Sequence, residues 1–138
     1  MSKSIAEENL VFGQAIALIP ILDLLLVFNS GIAFSIFDFN DYVFSFGLSL
    51  LGLMIVAYLH SVYKSEDSYI NRLSLILIIA GALGNILDRL PDGEVTDFLF
   101  FHVGNTSFFI FNFADAFISI GATSFFLTEF KKFLQNRT

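Results

Sequence analysis

The sequence predicts an all-α polytopic membrane protein with three transmembrane helices. Hydrophobic residues make up 56% of the chain and charged residues only 14%, whereas a soluble domain carries about 25% charged residues. Several runs also reach the ~20 mostly apolar residues that a helix needs to cross a bilayer. A chain of 138 residues is too short for more than one domain, so we predict a single membrane domain over residues 1–138.

The predicted elements follow in order along the chain. Residues 1–9 form an N-terminal tail, and residues 10–41 form an apolar segment of ambiguous nature. Pro20 and Asp23 lie inside this segment, and both are unfavourable in a helix that crosses lipid. Transmembrane helices are predicted at 42–63, 70–89 and 107–130, the last despite Asn112 and Asp115, and residues 131–138 form a C-terminal tail.

The distribution of basic residues predicts the orientation of these helices. Lys64 and Arg72 flank the connection between the first two helices, and the C-terminal tail also carries basic residues, namely Lys131, Lys132 and Arg137. Cytoplasmic loops are enriched in Lys and Arg, so we place this connection and the C-terminus in the cytoplasm. The connection 88–106, with one Arg and four carboxylates, then faces outward.

The composition argues against several classes of function. The chain has no Cys, so disulfides, thiolate metal sites and Cys nucleophiles are excluded. His60 and His102 are far apart in sequence, and we predict neither a metal site nor a cofactor. The net charge of −6 argues against nucleic acid as a partner.

Asp115 is the sharpest single candidate for a catalytic residue. Asn112, Asp115 and Ser119 follow the i, i+3, i+7 spacing of one helix face. An ionisable residue in a transmembrane segment indicates a functional site, because charge is unfavourable in lipid. The alternative is a protonated Asp115 that only makes a structural hydrogen bond.

Asp97 is the second candidate. It follows the turn residues Pro91, Asp92 and Gly93 and precedes an apolar stretch, so the chain turns at the surface and returns toward apolar surroundings. The alternative is a solvated loop carboxylate. In the predicted orientation Asp97 and Asp115 both lie near the outer face, where two carboxyl groups would share one proton. One could act as general base on water while the other polarises a peptide carbonyl, as in aspartic proteases.

Other polar residues accompany these candidates. Asn85 and Asp88 share a face at the end of the second predicted helix, and Arg89 follows them. An interfacial cap with an anchoring Arg would explain this group equally well. Asn29 and Gly31 belong to a turn within an apolar stretch, which is a weak signal in isolation.

Four short motifs together resemble those of lipoprotein signal peptidase, the bacterial signal peptidase II family. The family has an Asn-x-Gly-x-Ala-Phe segment, a Gly-x-x-x-Gly-Asn-x-x-Asp-Arg segment, a Val-x-Asp-Phe segment and a Phe-Asn-x-Ala-Asp segment. In this chain the corresponding segments are NSGIAF, a compressed GALGNILDR, VTDF and FNFADAF. Each motif is weak alone, but four of them in the family's order are highly specific. The resemblance extends over residues 14–130.

The resemblance implies that Asp97 and Asp115 are the catalytic pair. It implies a reaction that cleaves a signal peptide before a cysteine bearing a diacylglyceryl group, with inhibition by the cyclic peptide globomycin. The expected partners are diacylglyceryl-prolipoproteins and membrane lipid, and we expect a monomer. The expected location is the bacterial inner membrane, with the site near the periplasmic face. The residues expected to line or support the site are Asn29, Gly31, Asn85, Asp88, Arg89 and Asn112.

The chain departs from the family pattern at its N-terminus. Family members have four spans and a small β-cradle, and they begin with a span that bears an Asp-Gln-x-x-Lys motif. We expect this chain to lack that span and its motif. By analogy, residues 10–37 would form the outward-facing cradle and a surface helix rather than a span. Two alternatives remain: an inactive truncated member of the family, and a transport or proton-relay protein. Acids at the midplane within inverted repeats would distinguish the transport protein.

Overall fold

The computed structural model describes residues 2–31 and 42–137. These residues form four helices and four strands. In chain order the elements are α1 (Ser2–Asn9), β1 (Ile16–Ile19), β2 (Leu22–Asn29), α2 (Tyr42–Ser65), α3 (Tyr69–Arg89), β3 (Val95–Val103), β4 (Thr106–Phe111) and α4 (Phe113–Gln135). The predicted cradle segment is described only as far as Gly31, and its remainder, residues 32–41, lies outside the described residues.

Helices α2, α3 and α4 are long and apolar enough to cross a membrane, which confirms the three predicted spans. The shortest has 21 residues and extends about 31 Å at 1.5 Å per residue, close to the ~30 Å hydrocarbon core of a bilayer. Large apolar side chains of these helices are exposed, for example Val43, Tyr58 and Phe126. Such a surface suits contact with lipid and is unfavourable in water.

The all-α description needs correction, because the described residues include a four-stranded antiparallel sheet in the order β1-β2-β3-β4. Two strands come from the ambiguous N-terminal segment. The other two, β3 and β4, come from the apolar residues 95–111, which are rich in Phe and β-branched side chains that favour strands. The last membrane helix therefore begins at Phe113 rather than at residue 107, and it continues to Gln135.

Short turns explain why these apolar stretches fold back as hairpins. Gly104 has a positive φ of 56° in the two-residue connection between β3 and β4. Tight hairpin turns need such a backbone conformation, which glycine adopts without strain. Pro20 lies in the equally short connection between β1 and β2, where its fixed φ favours a turn. Pro20 therefore ends a strand here instead of interrupting a transmembrane helix.

Helix α1 packs on the sheet and covers a small apolar core. Ala6 of α1 is buried together with Leu26, Phe98 and Leu99. The predicted N-terminal tail is therefore a helix over eight of its nine residues. Because α1 contacts β3, it brings its polar residues close to the strand that carries Asp97.

The chain divides into two compact units, which are described separately. The first, which we call the sheet unit, comprises Met1–Ser49 and Leu87–Phe113. The second, the helical unit, comprises Leu50–Ile86 and Ala114–Thr138. The single membrane domain inferred from chain length stays a prediction.

In the helical unit, α3 and α4 approach each other closely at two glycines. A Cβ atom at Gly81 would overlap the carbonyl oxygen of Ala114, and one at Gly121 would lie only 2.6 Å from that of Ser74. Both contacts are too short for any real side chain. Small residues allow this close approach, which favours helix association in lipid through van der Waals packing.

A polar cluster in the helical unit joins the α2–α3 connection, the first turn of α3 and the last turns of α4. Asn71 is fully buried, and its Nδ2 donates to Glu66 Oε2 at 3.1 Å and to Glu129 Oε1 at 2.6 Å. Lys132 Nζ lies 2.7 Å from Glu129 Oε1. The backbone N–H of Ser68 also donates to Glu66, at 2.8 Å. Since both the Ser68 and Asn71 donors stabilise its charged form, the pKa of the Glu66 carboxyl is lowered.

Candidate active site

Asp97 lies on β3, an inner strand of the four-stranded sheet, and the residue is only 2% exposed. It is opposite Val27 of β2 in the antiparallel register. Directly opposed residues share a sheet face, and so do residues two apart on one strand. Val27, Asn29 and Asp97 therefore share a face, which brings Asn29 within reach of Asp97.

Two amide side chains donate to the carboxylate of Asp97, one to each oxygen. Asn29 Nδ2 lies 3.0 Å from Oδ2, and Asn112 Nδ2 lies 2.6 Å from Oδ1. Both asparagines are buried, with 3% and 0% of their surface exposed. Donors of this kind favour the ionised form of a buried carboxyl group. They also fix the orientation of the carboxylate plane.

The amide of Asn29 is itself held in one orientation. The backbone N–H of Gly31 donates to Asn29 Oδ1 at 3.0 Å, so the oxygen end of the amide is occupied and its NH₂ end faces Asp97. Arg89 Nη2 donates to the carbonyl oxygen of Gly31 at 2.6 Å. A hydrogen-bonded chain thus extends from Arg89 through Gly31 and Asn29 to Asp97.

A second set of contacts holds Thr96, the residue directly before Asp97. The backbone N–H of Thr96 donates to Asp88 Oδ2 at 2.7 Å. The Thr96 hydroxyl donates to Glu7 Oε1 of α1. Lys3 Nζ, also on α1, donates to the same Asp88 oxygen at 2.7 Å. The last turn of α3 therefore contacts the backbone of Thr96 next to Asp97, and α1 contacts the Thr96 side chain.

In the helical unit, Asp115 lies in the first turn of α4. Asn85 Nδ2 of α3 donates to Asp115 Oδ1 at 2.7 Å. The first turn of a helix has N–H groups without intrahelical partners and carries the positive end of the helix dipole. The Asp115 side chain, held by Asn85, therefore lies at the polar N-terminal end of α4.

The structure brings the predicted site residues together in two groups. In the sheet unit, Asn29 and Asn112 donate to Asp97, and Asp88 accepts from Thr96. Gly31 and Arg89 are connected to Asp97 through Asn29. In the helical unit, Asn85 contacts Asp115. The pairing of Asp97 with Asp115 stays a prediction.

Three residues near Asp97 were missed by the sequence analysis: Lys3, Glu7 and Thr96. Lys3 and Glu7 have the i, i+4 spacing of one helix face, which was the available signal. That spacing is common on exposed helices, however, and says nothing about a target on a strand nearly 90 residues away in sequence. Only the packing of α1 on β3 reveals it.

Apolar membrane-length helices, a small sheet and one buried carboxylate held by two amides define a membrane protein with a built polar site. Two solved structures described as bacterial membrane enzymes have the same fold. Their TM-scores are 0.77 and 0.71, each at 28% sequence identity. The matches cover 94% and 92% of this chain and 79% and 81% of those chains.

Sequence comparison identifies the family. The family model described as signal peptidase (SPase) II matches residues 1–131. Relatives named lipoprotein signal peptidase are 40% identical over 126 residues in Bartonella bacilliformis, 42% over 123 in Mesorhizobium japonicum and 37% over 130 in Brucella ovis. These alignments cover 89%, 87% and 93% of this chain and 74%, 71% and 79% of the relatives.

The chain therefore belongs to the signal peptidase II family, as its four motifs predicted. This assigns it to the multi-pass membrane proteases of lipoprotein processing, whose reaction removes a signal peptide.

Proposed function

We propose that this chain is an aspartic endopeptidase in which Asp97 and Asp115 form the catalytic pair. The observation that carries the proposal is the environment of Asp97, a carboxylate that is 2% exposed and accepts an amide N–H on each oxygen. Burying a carboxyl group is unfavourable unless it is hydrogen-bonded. Such built surroundings for an ionisable group in an apolar protein indicate a functional role.

The covalent chain supports the choice of Asp115 as the second acid. Asn112, which donates to Asp97, precedes Asp115 by three residues. Three residues of backbone extend at most about 11 Å, so Asp115 follows shortly after a residue that holds Asp97. Asp115 also has an amide donor of its own in Asn85.

The proposed reaction uses both carboxyl groups with one shared proton. The ionised member takes a proton from water, and the water oxygen forms a bond to the scissile carbonyl carbon. The protonated member donates its proton to the carbonyl oxygen, which gives a tetrahedral intermediate. The C–N bond then breaks: its nitrogen receives the proton that the first carboxyl group took from water, and a hydroxyl group of the intermediate returns a proton to the second carboxyl group as the new carboxylic acid forms. Both groups return to their starting states.

The proposed substrate is a prolipoprotein whose cysteine carries a diacylglyceryl group, and the bond broken is the one before that cysteine. The support is the family membership and the name lipoprotein signal peptidase of its relatives. A substrate with acyl chains and an apolar signal peptide partitions into lipid. An enzyme with membrane-length apolar helices therefore meets it there. We propose a monomer with membrane lipid as its surroundings.

We further propose a location in the bacterial inner membrane, with the C-terminus in the cytoplasm and the catalytic pair near the outer face. The support is the distribution of Lys and Arg. Lys64 and Arg72 flank the α2–α3 connection, and the end of α4 and the residues after it carry Lys131, Lys132 and Arg137.

Cleavage of a lipid-modified prolipoprotein by the purified chain in detergent micelles tests this function. We expect Asp97→Asn and Asp115→Asn each to lower kcat by at least about 1000-fold, because each removes a proton-transferring group. Asp92→Asn is the matched control, since Asp92 is an exposed carboxylate in the turn before β3. It should retain wild-type turnover. Mass spectrometry of the products should place the new N-terminus at the lipidated cysteine.

Two results would contradict the proposal. Wild-type turnover by either Asn variant would remove that aspartate from the catalytic pair. A product with its N-terminus elsewhere would exclude the proposed cleavage site. Globomycin gives an independent check, and we expect it to inhibit the wild-type chain.

A further inference from the structure

We infer that Lys3 and Glu7 of α1 are positioning residues for Asp97, acting through Asp88 and Thr96. The inference rests on the proposed function, because it takes Asp97 as catalytic. It assigns a role in the reaction to the short N-terminal helix, which the four sequence motifs do not include.

An ion pair between Lys3 and Asp88 connects α1 to the end of α3. Lys3 Nζ and the Thr96 backbone N–H both donate to Asp88 Oδ2, each at 2.7 Å. The side chains of Lys3 and Asp88 are 13% and 19% exposed, so water screens their attraction less than it does on an open surface. The pair therefore holds the Asp88 carboxylate against the backbone of β3.

Glu7 of α1 also contacts Thr96 of β3. Thr96 is 4% exposed, and its hydroxyl donates to Glu7 Oε1 while its backbone N–H donates to Asp88. Lys3 and Glu7 are four residues apart on α1 and share one helix face with the buried Ala6. One face of α1 thus holds the Thr96 hydroxyl directly through Glu7, and it holds the acceptor of the Thr96 N–H through Lys3. The same face packs Ala6 into the apolar core.

The position of Thr96 affects catalysis because Thr96 directly precedes Asp97. The Thr96 N–H and hydroxyl flank the Cα atom of Thr96, so their two contacts fix the backbone at the residue directly before Asp97. A displacement of Thr96 therefore also displaces the Asp97 carboxylate. Catalytic groups tolerate little displacement, since an error of about 1 Å can reduce the rate by about 100-fold. Removing the contacts to Thr96 is therefore expected to reduce turnover more than substrate binding.

The test measures kcat and KM for the full chain in micelles with a lipid-modified prolipoprotein. We expect Lys3→Met to lower kcat about 10-fold or more and to leave KM within about 3-fold, while Lys3→Arg, which keeps the charge, restores most of the turnover. Glu7→Gln should lower kcat by a smaller factor. The matched controls are Glu8→Gln and Lys131→Met, which alter exposed residues and should behave as wild type.

A double-variant cycle separates positioning from a general loss of stability. If Lys3 acts through Asp88, then Lys3→Met combined with Asp88→Asn should lower kcat much less than the product of the two single effects. Independent, multiplicative effects would overturn the inference. So would a loss of activity in Lys3→Met that is fully explained by a smaller folded fraction at the assay temperature.

Amide hydrogen exchange gives a readout that does not need catalysis. The Thr96 N–H should exchange faster in Lys3→Met than in wild type, and Lys131→Met should leave it unchanged; equal exchange in all three would overturn the inference. The result that contradicts the proposed function is a different one, namely wild-type turnover by Asp97→Asn. That result contradicts the function whatever the turnover of Lys3→Met. Loss of turnover in Asp97→Asn with none in Lys3→Met contradicts only the role of α1.

Discussion

The region around Asp97 in the sheet unit and the α3–α4 contact in the helical unit are held together by opposite means. Around Asp97, the sheet unit buries polar side chains and satisfies them with one another, as with Asn29, Thr96 and Asn112. Between α3 and α4, the helical unit relies on missing side chains, since Gly81 and Gly121 let backbones meet.

The difference follows from what each region has to do. Glycine contacts bring helices together in lipid but fix no functional group. A hydrogen-bonded network in a buried place fixes the direction of each polar atom, and an unsatisfied member is strongly unfavourable. We therefore expect changes in the sheet unit to affect turnover first, and changes at the glycines of the helical unit to affect stability first.

Asn112→Ala is expected to give the largest effect on turnover among changes that leave both aspartates in place. It removes the 2.6 Å donor to Asp97 Oδ1. A hydrogen bond to a charged group contributes about 1.5–3 kcal/mol, so kcat should fall between about 10-fold and 100-fold. Asn136→Ala changes an exposed asparagine and serves as the control. Equal kcat for both variants would show that the amide does not support the reaction.

Gly121→Ala should reduce stability by a comparable or smaller amount while sparing the chemistry, whereas Gly81→Ala should also affect turnover, because its methyl group would meet the backbone next to Asp115. Each new methyl group would meet a carbonyl oxygen of the neighbouring helix, that of Ser74 or that of Ala114. Overpacking of this kind costs about 1–3 kcal/mol, which should appear as a lower Tm in micelles. Gly47→Ala is the control, because nothing lies within 4 Å of its added Cβ. A Tm for Gly121→Ala at or above that of Gly47→Ala would argue against close packing there.

The smallest expected effect is a pH-dependent one at Glu66. Donation from Ser68 and Asn71 lowers the pKa of this carboxyl group in the folded state from its ordinary value of 4.5. A lowered folded-state pKa contributes stability above the unfolded value, and this contribution disappears as the pH falls through the folded one. Glu66→Gln should thus lower Tm slightly at neutral pH, and the difference should close below about pH 4. Asp67→Asn, at an exposed neighbour, should show no such trend; a constant Tm difference for Glu66→Gln would refute this account.

The sequence was sufficient to predict the membrane helices, because long apolar runs have few other stable structures. It did not predict the sheet as a four-stranded unit. Residues 95–111 are as apolar as a span. They lack the alternation of apolar and polar residues that indicates a strand, because both faces of β3 are buried from Val95 to Leu99. The turn at Gly104 was the local sign of a hairpin, and a single glycine was too weak to outweigh hydropathy.

The candidate site was predicted unevenly for a related reason. Asn29, Asn85 and Asn112 were found because they belong to short motifs, and the structure places each of them against one of the two aspartates. Lys3 and Glu7 reach Asp88 and Thr96 only because α1 folds onto β3. Contacts of that kind depend on tertiary packing, which no local pattern of residues records.

The most direct test of the contrast between the two units is the turnover number per folded molecule of Asn112→Ala and Gly121→Ala, measured side by side with their Tm values. We predict that Asn112→Ala has a low turnover number per folded molecule, which the lower Tm expected from the unpaired Asp97 oxygen does not explain. We predict that Gly121→Ala has a lowered Tm and, below that Tm, a wild-type turnover number. The opposite pattern, or loss of both quantities in both variants, would contradict the assignment of chemistry to the network around Asp97 and of stability to the glycine contacts.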